Sequence, residues 1–186
     1  MKVYFDEQHF LREATLDQQH LQQKITEYEQ QFPHAKDLEK YRLASILGYY
    51  YRLHSVHVPT DIVVAENYFH ICLDYARENN DPKKELITLV RLGETYKYSD
   101  LHALALKLFK KALFLCDTHL IESHRDFILQ HMGKCYMEVG FYQKAQNCFH
   151  QALALRKQKK NTELIDSTKK ALLLNHKLEM TGRFSK

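Results

Sequence analysis

Tryptophan is absent from the 186 residues, and glycine and proline are scarce, at five and three. So few turn-formers cannot supply the many connections of an all-β protein, whereas the abundant Leu, Ala, Gln, Glu and Lys favour helix. No apolar run approaches the roughly 18 residues of a membrane span. The start, Met1-Lys2-Val3-Tyr4-Phe5-Asp6-Glu7, turns acidic at once and lacks the apolar stretch of a secretory signal. None of the four cysteines, Cys72, Cys116, Cys135 and Cys148, stands in a CxxC pair, which argues against a redox or zinc motif. All four fall in segments that read as helix, where a free thiol acts as apolar filler, so a reducing, cytoplasmic setting is expected. No HExxH, GxSxG or glycine-rich phosphate loop occurs, so neither enzymatic activity nor a cofactor is expected. A strong charge of one sign is missing too. The formal net charge of +4 by itself implies neither nucleic acid nor membrane.

What is present is a repeat. Leu92-Gly93-x-x-Tyr96 is followed by Ala105-x-x-x-Phe109-x-x-Ala112, and forty residues later Met132-Gly133-x-x-Tyr136 is followed by Ala145-x-x-x-Phe149-x-x-Ala152. A third, earlier copy, Gly48-x-x-Tyr51 with Ala65-x-x-x-Phe69-x-x-Cys72, appears once five extra residues are allowed around Leu53–Thr60. From Cys72 to Gly93 and from Ala112 to Gly133 is twenty-one residues in both cases. Repeats of this period are stacked helix hairpins, in which each unit buries its apolar face only against its neighbours. The glycine lets a neighbouring helix approach, the alanines keep the second helix thin, and Tyr and Phe fill the space. Asp81-Pro82 reads as an N-cap with proline at the first helical position. Ser99 and Thr162 read as further N-caps, and Val139-Gly140-Phe141 as the turn of the last copy. A Gln-rich helix over about Leu16 to Gln31, with Leu21, Ile25 and Tyr28 apolar, would cover one end of the stack. A helix beginning at Thr162 would cover the other. Its apolar residues Leu172–Leu174 and Leu178 could equally close the core or pair two chains as a homodimer.

These residues resemble the tetratricopeptide repeat (TPR) family over roughly Tyr41 to Ala152, with a period of forty instead of the usual thirty-four or so and without the usual Trp and Pro. The resemblance implies an all-α fold, a right-handed superhelix of antiparallel helix hairpins (a TPR-like α-solenoid). Its expected organisation is an N-terminal helical segment (1–40), three repeats (41–160; about 41–80, 81–121 and 122–160) and a C-terminal capping helix and tail (161–186). The longer period resembles the Rap-like peptide-sensing regulators of Gram-positive bacteria. About forty residues precede the first repeat, too few for the complete effector domain such regulators carry.

The resemblance also implies that the helix face opposite the motif lines the inside of the superhelix. At 100° per residue that face carries Arg42, Tyr49 and Arg52 in the first repeat and Arg91, Glu94, Lys97 and Tyr98 in the second. His131 and Lys134 follow in the third, and Lys170 on the capping helix. This set, basic and aromatic, suits a protein or peptide with acidic residues or a free C-terminal carboxylate. The expected function is a non-enzymatic protein- or peptide-binding module, and the alternative is a sensor of a short signalling peptide. The Lys and Asn spacing of chaperone-tail clamps is absent. The twelve histidines, including His54/His57 and His119/His124, lack the partners of a metal site and read as surface residues. The run Arg156-Lys157-Gln158-Lys159-Lys160 reads as a solvated turn between helices rather than a nucleic-acid contact, because it is short and lacks interleaved aromatics.

Overall fold

The structure, a computed structural model, describes residues 1–182. Helices α2 (Asp37–His54) and α3 (Asp61–Glu78) form the first hairpin, α4 (Pro82–Tyr98) and α5 (His102–Thr118) the second, and α6 (Arg125–Glu138) and α7 (Tyr142–Gln158) the third. Helix α1 (Gln18–Gln31) precedes them and α8 (Thr162–Thr181) follows, each packing on the adjacent member of the stack. Three of the five extra residues of the first repeat lengthen the α2–α3 connection, which runs from Ser55 to Thr60 while its counterparts hold three residues each, and the other two extend the end of α2 and the start of α3 by one residue apiece. The four tail residues 183–186 lie outside the described residues.

The repeat motif is a packing device. A Cβ added at Gly48, Gly93 or Gly133 would stand 2.8, 2.5 or 2.6 Å from a ring carbon of Phe69, Phe109 or Phe149 respectively. All three rings are fully buried, as are Ala65, Ala105, Ala112, Ala145 and Ala152. The glycine therefore admits the aromatic ring of its own hairpin's second helix. Gly93→Ala sets two effects against each other: alanine gains about 1 kcal/mol of helix propensity, whereas overpacking a closed core costs about 1–3 kcal/mol. With the Phe109 ring enclosed, the clash wins. Urea denaturation is expected to show a net loss of about 1 kcal/mol that Phe109→Leu in the same chain partly restores.

Capping follows local chemistry, with two departures from the expected positions. Asp81 accepts from the Lys84 amide at 2.9 Å, with Pro82 in the first turn. Ser99 does not cap α5. Its hydroxyl donates back to the Thr95 carbonyl and closes α4, and the residue before α5 is Leu101, whose side chain has no oxygen to offer. Asn161, not Thr162, caps α8 by accepting from the Leu164 amide at 3.0 Å. Gly140 takes the left-handed conformation in the last intra-repeat turn, and Asp100 takes it in the second, at φ 77° and 58°.

Both ends of the stack are covered. Leu21 and Ile25 of α1 are fully buried in a cluster with Leu53. On α8, Ala171 and Leu178 are buried and Leu172 and Leu174 half-buried, against Met137 and Phe149, while Leu173 faces solvent. Of the basic run at 156–160, residues 157–160 are exposed, with Lys159 and Lys160 in the turn after α7, but Arg156 is not solvated. Arg156 lies four residues beyond buried Ala152 on the inner stripe of α7, and its side chain is 2% exposed. It binds Asp126, Gln130, Thr168 and the Leu164 carbonyl.

The segment 1–40 is helical only in part. Strands β1 (Val3–Asp6) and β2 (Arg12–Thr15) pair antiparallel, with Val3 opposite Thr15 and Asp6 opposite Arg12. The connecting turn places Phe10 and Leu11 at positive φ, 55° and 59°, where residues other than Gly and Asn are strained. Val, Tyr and Phe at 3–5 carry the strand propensity. A glycine or asparagine that would announce the turn is missing.

Candidate functional site

The hairpin lies against the repeats, and its strand β2 meets the face expected to bind a ligand. Leu11 is 4% exposed and joins the apolar cluster of Met137, Ala145, Phe149, Ala171 and Leu178. Its carbonyl accepts from Lys134 Nζ at 2.8 Å, which also lies 4.4 Å from the centre of the Phe5 ring. Arg12 Nη2 reaches Glu138 Oε2 at 2.6 Å, Asp100 Oδ1 at 2.7 Å and the Lys97 carbonyl at 3.0 Å. Glu13 Oε2 accepts from Arg52 Nη2 at 2.7 Å, and the Glu13 amide donates to the Tyr98 hydroxyl at 2.5 Å. Helices α2, α4 and α6 thus each supply a receptor for one short stretch of strand.

Behind these contacts the groove buries its own charges in pairs. Glu138 and Lys97 have side chains 1% exposed and meet at 3.0 Å, and His102 Nε2 lies 3.0 Å from the second Glu138 oxygen. Burial alone would raise the Glu138 carboxyl. Lys97, His102 and Arg12 outweigh it and hold the group down at about 2. Glu94, between Arg52 at 3.4 Å and His131 at 3.1 Å, is likewise held below the usual carboxylate range: burial opposes this, and the cations prevail. Among the described residues no carboxylate lies within pairing distance of Lys134, and burial, reinforced by the nearby Lys97 charge, pushes its ammonium down to about 7. Arg52 is sandwiched as well, 4.8 Å from the Tyr98 ring centre and 5.3 Å from that of Tyr49.

Eight of the ten residues expected at the site converge here. Arg52, Glu94, Lys97, Tyr98 and Lys134 sit under or beside the hairpin. Tyr49, Arg91 and His131 join Arg52, Glu94 and Glu13 around an open hollow of about 390 Å³, completed by Ile87, Val90 and Phe127. Arg91 donates to the Ser45 carbonyl and hydroxyl at 3.0 and 2.8 Å. Arg42 is exposed beside Glu39, and Lys170 is exposed on α8; neither lines the hollow. Sequence reasoning missed Leu11, Arg12, Glu13, Asp100 and His102. The Val-Tyr-Phe run was a signal for the strand, but nothing local links Arg12 to Glu138, 126 residues away.

Asp100, His102 and Glu138 bring their ligand atoms within 4.8 Å of one another, a donor set of the kind that binds a cation. The Arg12 guanidinium bridges the two carboxylates and, together with Lys97 on Glu138, already balances their charge. The four thiols are buried. Burial pushes those of Cys72 and Cys135 up to about 12 and that of Cys148 to about 11, which makes them poor nucleophiles.

No family model matches the chain, and no curated protein does. Solved structures do. The nearly identical TPR-like repeats of a Podosopora anserina protein named for kinesin light chain superimpose with a TM-score of 0.65 at 14% identity, covering 88% of this chain and 81% of that one. The fold is that of TPR-like helical repeats. The apo form of RapI gives a TM-score of 0.68 at 20% identity over 88% of this chain, which spans only 45% of the RapI chain. BtubC (BKLC) from P. vanneervenii gives 0.69 at 15% identity, covering 84% of this chain and 66% of that one. The TPR-like superhelix therefore resembles a Rap-type regulator as well as kinesin-light-chain repeats. Among its described helices none is long and apolar enough to cross a membrane.

Proposed function

We propose that this TPR-like superhelix is a non-enzymatic binding module that takes an extended polypeptide segment of a partner along its concave face. The observation that carries this reading is the hollow of about 390 Å³ beside Glu13. It combines apolar and aromatic walls (Ile87, Val90, Phe127, Tyr49) with convergent polar groups (Arg91, Arg52, His131) on three successive repeats, the mixture that orients a ligand while burying its apolar parts. The groove's cations already hold a carboxylate, that of Glu13, which supports a partner with acidic character. Four free thiols fit a reducing compartment.

Selection of a random peptide library on the immobilised chain tests this. Enriched peptides are expected to lose about tenfold or more in affinity, roughly 1.4 kcal/mol, in the variant Arg91→Glu/Phe127→Ser, with helical circular dichroism unchanged. No enrichment, or peptides indifferent to the double change, would sink the reading. A sensing role draws support from the likeness to RapI. It predicts that a selected peptide also compacts the superhelix in small-angle scattering.

A further inference from the structure

We propose that the N-terminal hairpin is a tethered occupant of the groove, and that the groove is built to recognise an apolar–arginine–glutamate segment that passes from a turn into a strand, which a partner bearing that pattern takes over. This rests on the reading of the superhelix as a binding module.

Three consecutive side chains enter three different receptors. Leu11 goes to an apolar pocket, Arg12 to the Glu138 and Asp100 carboxylates, and Glu13 to the Arg52 guanidinium. The backbone is read as well, at the Leu11 carbonyl by Lys134 and at the Glu13 amide by Tyr98. This is how a groove recognises a strand: main-chain contacts hold it and alternating pockets select its side chains. A lid serving only to cover the stack has no need of such receptors. Apolar residues cover a core without the desolvation that buried Arg52, Lys97, Lys134, Glu94 and Glu138 require.

The rest of the hairpin is held weakly. A two-stranded hairpin is marginal by itself, and Tyr4 and Phe5 of β1 are 39% and 47% exposed. A second hollow of about 490 Å³, which Arg12 and Glu13 also line, lies between Tyr4, Asp6 and His9 of the hairpin and Val56, Pro59 and Ile62 at the α2–α3 connection. Strain at Phe10 and Leu11 is relieved when the segment leaves. The hairpin thus belongs to the low-stability end of the molecule, from which exchangeable segments are drawn. Its tether gives it an effective concentration on the order of millimolar, so a free segment competes only where the tethered one is weakened or where the partner adds contacts in the neighbouring hollow.

A fluorescent peptide with the chain's own sequence at 1–16 is the probe. Full-length Arg12→Ala/Glu13→Ala is expected to bind it at least about tenfold more tightly than wild type does. The same two substitutions placed in the peptide are expected to lower its affinity about tenfold or more. Hydrogen exchange on the unaltered chain supplies a reading independent of either variant: amides of residues 3–15 are expected to exchange well before those of α4 and α6. Equal protection of hairpin and helices, or equal binding of the native and substituted peptides, would overturn the proposal. So would a concentration-dependent doubling of the wild-type mass, which would assign the groove to the hairpin of a second copy. Library peptides that bind the hollow without releasing the hairpin would overturn this inference alone. Absence of any peptide binding would remove the proposed function with it.

Discussion

Glu138→Ala is expected to lower the stability of the fold by about 3–5 kcal/mol, because removing one partner of a buried charge cluster leaves the others uncompensated. The carboxylate meets Lys97, Arg12 and His102. Lys97, 1% exposed, would be left as a cation with no way to reach water. Arg12, more exposed, can resolvate. The same change is expected to loosen the hairpin, visible as faster hydrogen exchange over residues 3–15 in a chain that remains folded at low temperature. The pH dependence has a defined sign. The folded-state value of about 2 lies below the ordinary 4.5, so the stabilisation from Glu138 is complete above about pH 5 and is lost as pH falls from 4.5 towards 2. The gap in unfolding free energy between wild type and Glu138→Ala should narrow across that window. A constant gap down to pH 2.5 would show that packing, not charge, sets the effect.

Asp126→Ala is expected to cost a similar 3–5 kcal/mol by stranding Arg156, but with a different footprint. Asp126 is fully buried, takes Arg156 Nε at 3.0 Å and also binds Lys159. Arg156 then bridges from α6 to α8 through Gln130, Thr168 and the Leu164 carbonyl. Its loss of charge partner loosens the C-terminal end and leaves the hairpin's protection unchanged. The comparison that decides the mechanism is Asp126→Leu/Arg156→Met. Replacing both members of a buried pair by apolar residues is often neutral or stabilising, so the double variant should lie within about 1 kcal/mol of wild type in urea denaturation. A double variant as unstable as Asp126→Ala would mean that the hydrogen bonds of Arg156 to α8, rather than its uncompensated charge, carry the cost.

Much of the architecture was legible because it is local or periodic. Gly93, Ala105 and Phe109 announce the hairpin through their spacing, and the geometry at Gly93 shows why that spacing is required: the ring of Phe109 fills the volume a Cβ would occupy. The α1 end of the stack was legible from Leu21 and Ile25 for the same reason, whereas the periodicity of Leu178 left core closure and chain pairing equally open. The capping errors at Ser99 and Thr162 were near misses: Asn161 caps α8 one residue earlier, whereas Ser99 closes α4 and α5 starts after Leu101 without a side-chain cap. The burial of Arg156 was readable in principle from its place four residues after Ala152, but a run of four cations in five residues masked it.

The groove is another matter. Helical periodicity placed Tyr49, Arg52, Arg91, Glu94, Lys97, Tyr98, His131 and Lys134 on one face, since the angle per residue needs no knowledge of neighbours. What each of those charges meets is a question of distance in space between residues far apart in the chain. Arg52 finds Glu94 and Glu13, Lys97 finds Glu138, and Lys134 finds the Leu11 carbonyl. A face that reads as open and basic in sequence is partly closed and nearly charge-balanced in space. The strand that closes it, Arg12–Thr15, is too short and too polar to announce itself. Sequence by itself determined the repeat, its period and which residues of each helix share a face, because those follow from short-range geometry. Only the tertiary structure decided that the chain's own Leu11-Arg12-Glu13 occupies that face, because a side chain's partner is chosen by the folding of the whole superhelix around it.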